Sequence, residues 1–342
     1  MKRSKKLAFI LLLMIFILTV SLKYIYLTGP VTVDEIGQTN YIRINLRSGT
    51  SGRQAARLLY ENKLIRSEKL FYILLRLENK SLKAGTYQLS TAFDMHEIID
   101  LITSGKVATF RVTIPEGFTV EEISERLAAL TPYDKEDFLL EANKDFGRDY
   151  LKEANLPRKY LLEGFLYPDT YNFPYDFSPA QIMEHLLLQF ENKWLERLEA
   201  NYITDSNDSR TGEYSPFEIV TIASLIEKET KHDDEKTWIS AVIYNRLEKD
   251  MLLQLDASVQ YALKDRTSRV LYRDLEVDSL YNTYRYPGLP PGPIANPGSS
   301  SIEAALNPAN KSYLFYFALS DGRHVFSHSY SEHLRLQNEM RD

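Results

Sequence analysis

Residues 215–230 read SPFEIVTIASLIEKET and combine a helix start with a helical repeat of apolar residues. Ser215 can cap the first turn, and Pro216 suits that turn because it lacks the N–H that would stay unpaired there. The apolar residues that recur at spacings of three and four are Ile219, Ile222, Ala223 and Ile226. We therefore predict an amphipathic helix that buries this stripe in a core.

Two glutamates close the predicted helix. At about 100° per residue, Glu227 and Glu229 fall roughly 80° to either side of the stripe, whereas Lys228 points away from it. A carboxyl group at the margin of a core can keep its proton near neutral pH and so act as a general acid. The alternative is a salt-bridged helix end that uses Lys228, Lys231 or Lys236. Periodicity alone does not choose between the two glutamates.

Neighbouring segments mix polar and aromatic side chains in a way that a core does not require. They are 163–171 (EGFLYPDTY), 253–256 (LQLD) and 281–284 (YNTY). Asp256 could instead simply cap the helix that follows it. Residues 287–298 hold five prolines and three glycines, a composition that excludes helix and inner strand and predicts a rigid loop, either a groove wall or a connector.

Residues 41–108 form a separate small unit. Alternation in 42–46 and in 83–89 predicts two strands, and apolar spacing in 54–62 and 67–78 predicts two helices between them. A strand-helix-helix-strand order of this length resembles a LysM-like module, a type that grips the N-acetyl sugars of cell-wall glycans. Without that resemblance, it is only a small α/β unit.

The N-terminus carries a membrane signal. Residues 1–6 contain four basic residues, and 7–27 form an almost unbroken apolar run that spans about 30 Å as a helix. Basic residues before the span predict a cytoplasmic N-terminus, with everything after about Gly29 outside, beginning with a linker at 28–40. A cleaved signal peptide is the alternative, but no small-residue cleavage site follows the run. A buried core helix is the other alternative.

Composition narrows the classes of function. The 342 residues suffice for two domains, and the net charge of −6 provides no attraction for a nucleic-acid backbone. The chain has no cysteine, which excludes thiol nucleophiles and Cys-ligated metals. Nucleotide-binding fingerprints are missing from the sequence, and no cofactor is predicted. His324, His328 and His333 could suggest zinc, but a hairpin after residues 320–323 would place the first two on a solvated sheet face.

Six motifs occur in one order along the chain. They are 163–171, 223–230 (ASLIEKET), 245–247 (NRL), 253–256, 281–284 and 288–294 (GLPPGPI). In this order they resemble the YceG-like family of endolytic murein transglycosylases. The resemblance implies an α+β fold in which a single N-terminal transmembrane helix and a LysM-like module precede a mixed catalytic domain at 109–342. It also implies that Glu227, the first glutamate of the Glu-Lys-Glu-Thr motif, is the catalytic acid.

Further expectations follow from this resemblance. Such enzymes cut the bond between N-acetylmuramic acid and N-acetylglucosamine without water, and leave 1,6-anhydro ends on nascent strands beside the wall-synthesis enzymes. Residues expected to bind the substrate or support the acid are Gln254, Asn282, Tyr284, Glu163, Asp256 and Glu229. A hydrolase would need a second carboxylate, from Glu229, Glu163 or Asp256. A wall-binding scaffold without activity is the third alternative.

Overall fold

The computed structural model describes residues 2–32, 41–152, 157–203, 210–263 and 270–340. Within these ranges the chain is mostly helical and carries three two-stranded sheets, which confirms the mixed α+β class. It divides into two compact units. The first unit is Met1–Phe110 with Asn172–Asp176, and the second unit is Arg111–Tyr171 with Phe177–Asp342.

The first helix, α1, runs from Lys2 to Thr28, so it begins in the basic segment rather than after it. Its stretch Lys6–Thr28 is long and apolar enough to cross a membrane, and residues 6–26 of that stretch are exposed rather than buried in the protein. The alternative of a buried core helix is therefore wrong. Of the predicted linker at 28–40, Thr28 still belongs to the helix and residues 33–40 lie outside the described part.

Arg66 of the first unit satisfies the end of α1. Its guanidinium donates to the carbonyl oxygens of Tyr26, Gly29 and Val31 at 2.8, 3.0 and 3.2 Å. The last carbonyls of a helix have no partner within the helix and need such donors. A positive charge also complements the negative end of the helix dipole. The end of α1 is thus fixed to the residues that follow it.

The first unit contains the predicted strand-helix-helix-strand order. Strand β1 is Tyr41–Leu46, helix α2 is Gly52–Glu61, helix α3 is Glu68–Leu77 and strand β2 is Gly85–Ser90. The strands pair antiparallel with Ile44 opposite Tyr87. Helix α4, Met95–Ser104, follows, and its apolar face joins Phe71, Leu59 and Leu89 in one core. The predicted order is confirmed, with element ends shifted by one or two residues.

Strand β3, Thr109–Thr113, and strand β4, Thr170–Pro174, form the next sheet. After β3 the chain turns through Pro115, Glu116 and Gly117, and Thr119 caps α5, Val120–Ala128, with a capping box to Glu122. The cap and the box satisfy backbone N–H groups in the first turn of α5. The turn brings Glu116 and Gly117 to the start of α5 with Gly117 in the left-handed region at φ +74°.

The second unit continues with helices and one hairpin. The helices are α6 Lys135–Glu141, α7 Pro179–Phe190, α8 Glu196–Ile203, α9 Pro216–Glu229, α10 Asp233–Leu247, α11 Asp256–Ala262, α12 Ser299–Leu306 and α13 Tyr330–Glu339. A π-helical turn, Glu191–Leu195, joins α7 to α8, and short 3-10 turns cover Asp149–Leu151 and Tyr272–Glu276. Strand β5, Phe315–Ala318, pairs with β6, His324–Ser327, as the predicted hairpin.

Helix α9 is the predicted helix at 215–230 and lies at the centre of the second unit. Ser215 caps it, with Pro216 in the first turn. It packs against α10, α11 and α12. Ile219, Ile222, Ala223 and Ile226 are fully buried, which confirms the stripe. Truncating one buried isoleucine to alanine here is expected to cost about 2–5 kcal/mol.

The proline-rich segment 287–298 has neither helix nor strand, as predicted. Residues 290–298 are buried, so this part of the segment does not form the wall of a surface groove, which was one of the two expectations. Ile294 N donates to Ser224 of α9 at 3.0 Å. The segment is packed beside α9, and it leads directly into the start of α12.

Candidate active site

Glu227 lies in the last turn of α9, at the edge of the buried stripe. Its side chain is 10% exposed. The neighbouring Lys228 is exposed and Glu229 is half-buried. The two glutamates therefore flank the core, as the helical periodicity predicted, and Glu227 keeps limited access to solvent.

The Oε2 atom of Glu227 is held by the start of α12. The backbone N–H of Gly298 donates to it at 3.1 Å and the hydroxyl of Ser301 at 2.5 Å. The first turn of a helix presents unpaired N–H groups and a positive dipole end, and both attract a carboxylate. This geometry positions Glu227 through one oxygen atom.

Lys236 of α10 adds a positive charge on the same side. Its Nζ lies 3.6 Å from Glu227 Oε2 and 3.0 Å from Asp233. It also donates to the Ser300 hydroxyl at 2.7 Å. The side chain is only 4% exposed, so solvent screens these interactions weakly. The predicted alternative of an ion pair at this helix end is thus present, with Lys236 as the cation.

The other oxygen of Glu227, Oε1, faces Gly117. A Cβ atom at position 117 would lie 3.5 Å from Glu227 Cγ and 3.8 Å from Oε1. With hydrogen there instead, this side of the carboxyl group has additional space. Among the described residues, no hydrogen bond to Oε1 accompanies those to Oε2.

A second carboxylate, that of Glu116, lies at the start of α12. Its presence there was not predicted from the sequence. A Cβ atom at Gly298 would overlap the Glu116 carboxyl group, so Glu116 lies directly against the glycine whose N–H binds Glu227. Burial against this surface raises the pKa of Glu116, and the nearby Glu227 charge raises it further. The only signal in the sequence was the Pro-Glu-Gly turn after β3.

We call Glu227, Glu116, Lys236, Gly298 and Ser301 the Glu227 cluster. It gathers residues from the β3–α5 turn, from α9 and α10, and from the start of α12. A family model for the YceG-like family matches residues 44–339.

The chain belongs to the YceG-like family.

Two relatives and one solved structure support this membership. An endolytic murein transglycosylase of Bacillus subtilis is 37% identical over 87% of this YceG-like chain and 84% of its own length. One of Streptococcus pneumoniae is 25% identical over 96% of this chain and 64% of its own length. The crystal structure of a YceG-like protein of Listeria monocytogenes has 34% identity and a TM-score of 0.59, and covers 87% of this chain and all of its own.

Glu229, Asp256 and Tyr284 of this YceG-like chain come together in a second group. The Tyr316 hydroxyl donates to Glu229 at 2.9 Å, and the Tyr284 hydroxyl donates to Asp256 at 2.6 Å. Burial raises the pKa of Glu229 to about 7, and the Asp256 charge contributes to this rise. Asp256 is the first residue of α11 rather than its cap, which is Leu255, so the predicted capping role is wrong.

Gln254 is exposed, and its backbone lies in the left-handed region at φ +53°. Its N–H donates to the Thr283 carbonyl at 3.1 Å, which connects the 253–256 and 281–284 motifs. A residue with a Cβ atom in this conformation costs about 1–3 kcal/mol, and such strain often occurs at functional sites. Gln254 is therefore positioned where a ligand can reach it.

Glu163 was expected to bind the substrate, but the structure places it in the interior. It is 1% exposed and accepts from Val120 N, the Tyr261 hydroxyl and Asn296 Nδ2 at 3.0, 2.9 and 3.2 Å. A buried carboxylate needs such donors. Glu163 therefore stabilises the interior, where it connects the start of α5 with the proline-rich segment.

Asn282 is also buried, with no exposed surface. Its amide donates to the carbonyls of Leu275 and Val277, and its oxygen accepts from Tyr284 N at 3.0 Å. All of these groups are engaged, so Asn282 supports the Tyr284 loop from inside instead of contacting a sugar.

His324 was expected on a solvated sheet face, but its side chain is largely buried. Its side chain is 6% exposed and its Nδ1 lies 2.8 Å from the buried Glu235. Burial alone would raise the pKa of Glu235, but hydrogen bonds from His324 outweigh it and lower the pKa. His328 contacts Ser312 at 3.0 Å. Within the described ranges, no three acidic or histidine side chains group as a metal site would need.

Proposed function

We propose that this chain is an endolytic murein transglycosylase anchored in the membrane. It cleaves the β-1,4 bond between N-acetylmuramic acid and N-acetylglucosamine and leaves a 1,6-anhydro end. Membership of the YceG-like family supports this function, as do the names of the relatives from B. subtilis and S. pneumoniae. The observation that carries this proposal is the arrangement of the two carboxyl oxygens of Glu227. Gly298 and Ser301 donate hydrogen bonds to Oε2, while Oε1 remains available for proton transfer.

The first chemical step requires a proton donor. Glu227, protonated on Oε1, gives its proton to the glycosidic oxygen as the bond to the muramyl C1 breaks. Positive charge develops on the muramyl ring in an oxocarbenium-like transition state. The hydrogen bonds to Oε2 stabilise the carboxylate as it forms, because Gly298 and Ser301 both favour the charged group.

The second step regenerates the acid. The muramyl 6-hydroxyl attacks C1 from within the same sugar, and Glu227, now a carboxylate, accepts the hydroxyl proton. A new C1–O6 bond replaces the bond to the leaving sugar, so no water is consumed. One carboxylate can serve both steps, whereas a hydrolase normally uses two.

Substrate contacts are proposed for the exposed part of the second group. Gln254 would hydrogen-bond the glycan, because its side chain is exposed on a strained backbone. Tyr284 offers a half-buried ring, and Asp256 fixes its hydroxyl. Glu229 supports this surface through Tyr316, and Glu163 and Asn282 support it from the interior.

The domain arrangement is also part of this proposal. Residues 41–108 act as a LysM-like module that contacts glycan, and 109–342 form the catalytic domain. The basic segment before the apolar run keeps the N-terminus in the cytoplasm, and the rest of the chain lies outside the cell membrane. There the enzyme would cut nascent strands beside the proteins that synthesise them.

A muramidase is the second candidate, because a specific observation favours it. Glu116 lies against Gly298 beside Glu227 and could serve as the second carboxylate of a hydrolase. Of the partners expected from the sequence, Glu163 is buried and Glu229 and Asp256 are hydrogen-bonded to tyrosines. The products separate the two candidates.

The test is mass spectrometry of purified glycan strands after incubation with the full chain in detergent. We expect internal cuts with 1,6-anhydro ends, which are lighter by one water than hydrolytic ends. Glu227→Gln should abolish them without changing the thermal unfolding of the protein. Glu125→Gln, which removes an exposed carboxylate at a helix surface, is the matched control and should keep activity. Reducing ends would identify a muramidase, and an active Glu227→Gln variant would refute the acid assignment.

A further inference from the structure

The second carboxylate of the Glu227 cluster has no role in the mechanism above. Glu116 belongs to the Pro115-Glu116-Gly117 turn, and its carboxyl group lies on Gly298, where even a methyl group would collide with it. The backbone N–H of Ser299 donates to it. Glu116 and Glu227 thus lie on the same N-terminal turn of α12, one on the Cα side of Gly298 and the other on its N–H.

The partners of Glu227 favour its charged form. Oε2 accepts from Gly298 and Ser301, lies at the positive end of α12, and has Lys236 at 3.6 Å. Each of these contacts stabilises a carboxylate more than a carboxylic acid. A general acid must nevertheless carry a proton at the start of the reaction. The site therefore needs a second group that can keep a proton beside Glu227.

Glu116 is placed to be this group, because its carboxyl group lies on Gly298, the residue whose N–H binds Glu227. This inference rests on the proposed transglycosylase function. We infer that Glu116 is a positioning residue that pairs with Glu227 across Gly298, so that the two carboxyl groups hold one proton between them when the glycan binds. Two carboxyl groups that share a small site do not both ionise readily, because the second charge is repelled by the first.

Other charged side chains surround the pair. Lys236 favours ionisation of Glu116, and Asp233, which binds Lys236 at 3.0 Å, opposes it. Lys228 turns outward and donates to the Gly117 carbonyl at 3.3 Å. The net influence on Glu116 is unfavourable to its charge, since burial and Glu227 together raise its pKa despite Lys236 and the Ser299 N–H.

The experiment compares the pH dependence of anhydro-end formation by the full chain with that of Glu116→Gln. The variant keeps the shape of the side chain and removes the carboxyl group that shares the proton with Glu227. We expect the alkaline limb of the rate profile to move to lower pH by about one unit, a tenfold loss of rate on that limb, with little change at acidic pH. Glu116→Asp should restore most of the profile.

One control variant accompanies this experiment, and two results would overturn the inference. Glu125→Gln controls for the loss of a carboxylate elsewhere in the second unit and should leave the profile unchanged. An unshifted limb in a folded Glu116→Gln protein overturns the pairing. Loss of rate at every pH in a folded protein also overturns it, because Glu116 would then act on the substrate directly. These results stand apart from the proposed function, which fails only if Glu227→Gln remains active or the products lack anhydro ends.

Discussion

The Ser301 hydroxyl donates a 2.5 Å hydrogen bond to Oε2 of Glu227. The two residues are 74 positions apart in the chain, and the bond joins the last turn of α9 to the first turn of α12. It anchors Glu227 through Oε2, and the proposed proton transfer is assigned to the other oxygen, Oε1.

Removing the Ser301 hydroxyl tests whether this hydrogen bond positions Glu227. Ser301→Ala should lower the rate of anhydro-end formation about tenfold or more, because Glu227 loses a charge-assisted bond, while the free energy of unfolding falls by only about 1–3 kcal/mol. Product analysis and thermal unfolding check the two parts. Ser299→Ala, which removes a hydroxyl bonded to Tyr167, is the matched control. Equal rates for both variants would contradict the prediction.

Gly298 is expected to tolerate no side chain. Its backbone φ of −76° suits any residue, so the effect of Gly298→Ala would come from the collision of the new methyl group with Glu116. We predict a loss of activity and a destabilisation of about 1–3 kcal/mol. Combining it with Glu116→Ala should recover most of the lost stability, which denaturant unfolding of the single and double variants would measure. Additive losses would refute a direct contact.

Glu229 should make stability depend on pH. Its folded pKa of about 7 lies above the ordinary value of 4.5, so the folded state holds a proton that the unfolded state releases between these values. Stability should therefore decline as pH rises from about 4.5 to 7, by roughly 2–3 kcal/mol. Glu229→Gln should be free of this decline and gain stability relative to the parent above pH 7. Parallel unfolding profiles of the two proteins would contradict the prediction.

Gln254 should show opposite effects on stability and activity. Gln254→Gly relieves the left-handed backbone and should stabilise the protein by about 1 kcal/mol, while the loss of the side chain lowers the rate of cleavage. Asp250→Gly is the control, since Asp250 is exposed with a φ of +54°. It should give a similar gain in unfolding temperature and full activity. A fully active Gln254→Gly protein would remove Gln254 from the substrate contacts.

Local patterns predicted the elements of this fold well. The Ser-Pro start of α9, its apolar stripe and the hairpin at 315–327 all depend on neighbours a few residues apart. Periodicity also placed Glu227 and Glu229 correctly at the margin of the core. It could not choose between them, because a helical wheel does not contain the partners that other helices bring.

Contacts between distant segments explain why Glu116 was not predicted from the sequence. They also explain why the surroundings of Glu163 and Asp256 differ from those expected. Glu116 comes from a turn more than a hundred residues upstream of Glu227, and only the packing at Gly298 reveals its position. Glu163 has the polar and aromatic neighbours of a binding motif, but it accepts hydrogen bonds from Val120, Tyr261 and Asn296, which no local pattern connects. Asp256 looked like a cap, and its partner is instead the distant Tyr284.

The order of synthesis gives the Ser301 and Gly298 bonds a further consequence. Glu227 leaves the ribosome well before its partners, which lie 71 and 74 residues later. In the topology proposed above, α9 would emerge from the membrane without the turn that orients its carboxyl group. The proposed acid would then become competent only after most of the chain had crossed and folded. A half-exported chain would be harmless to the wall around it.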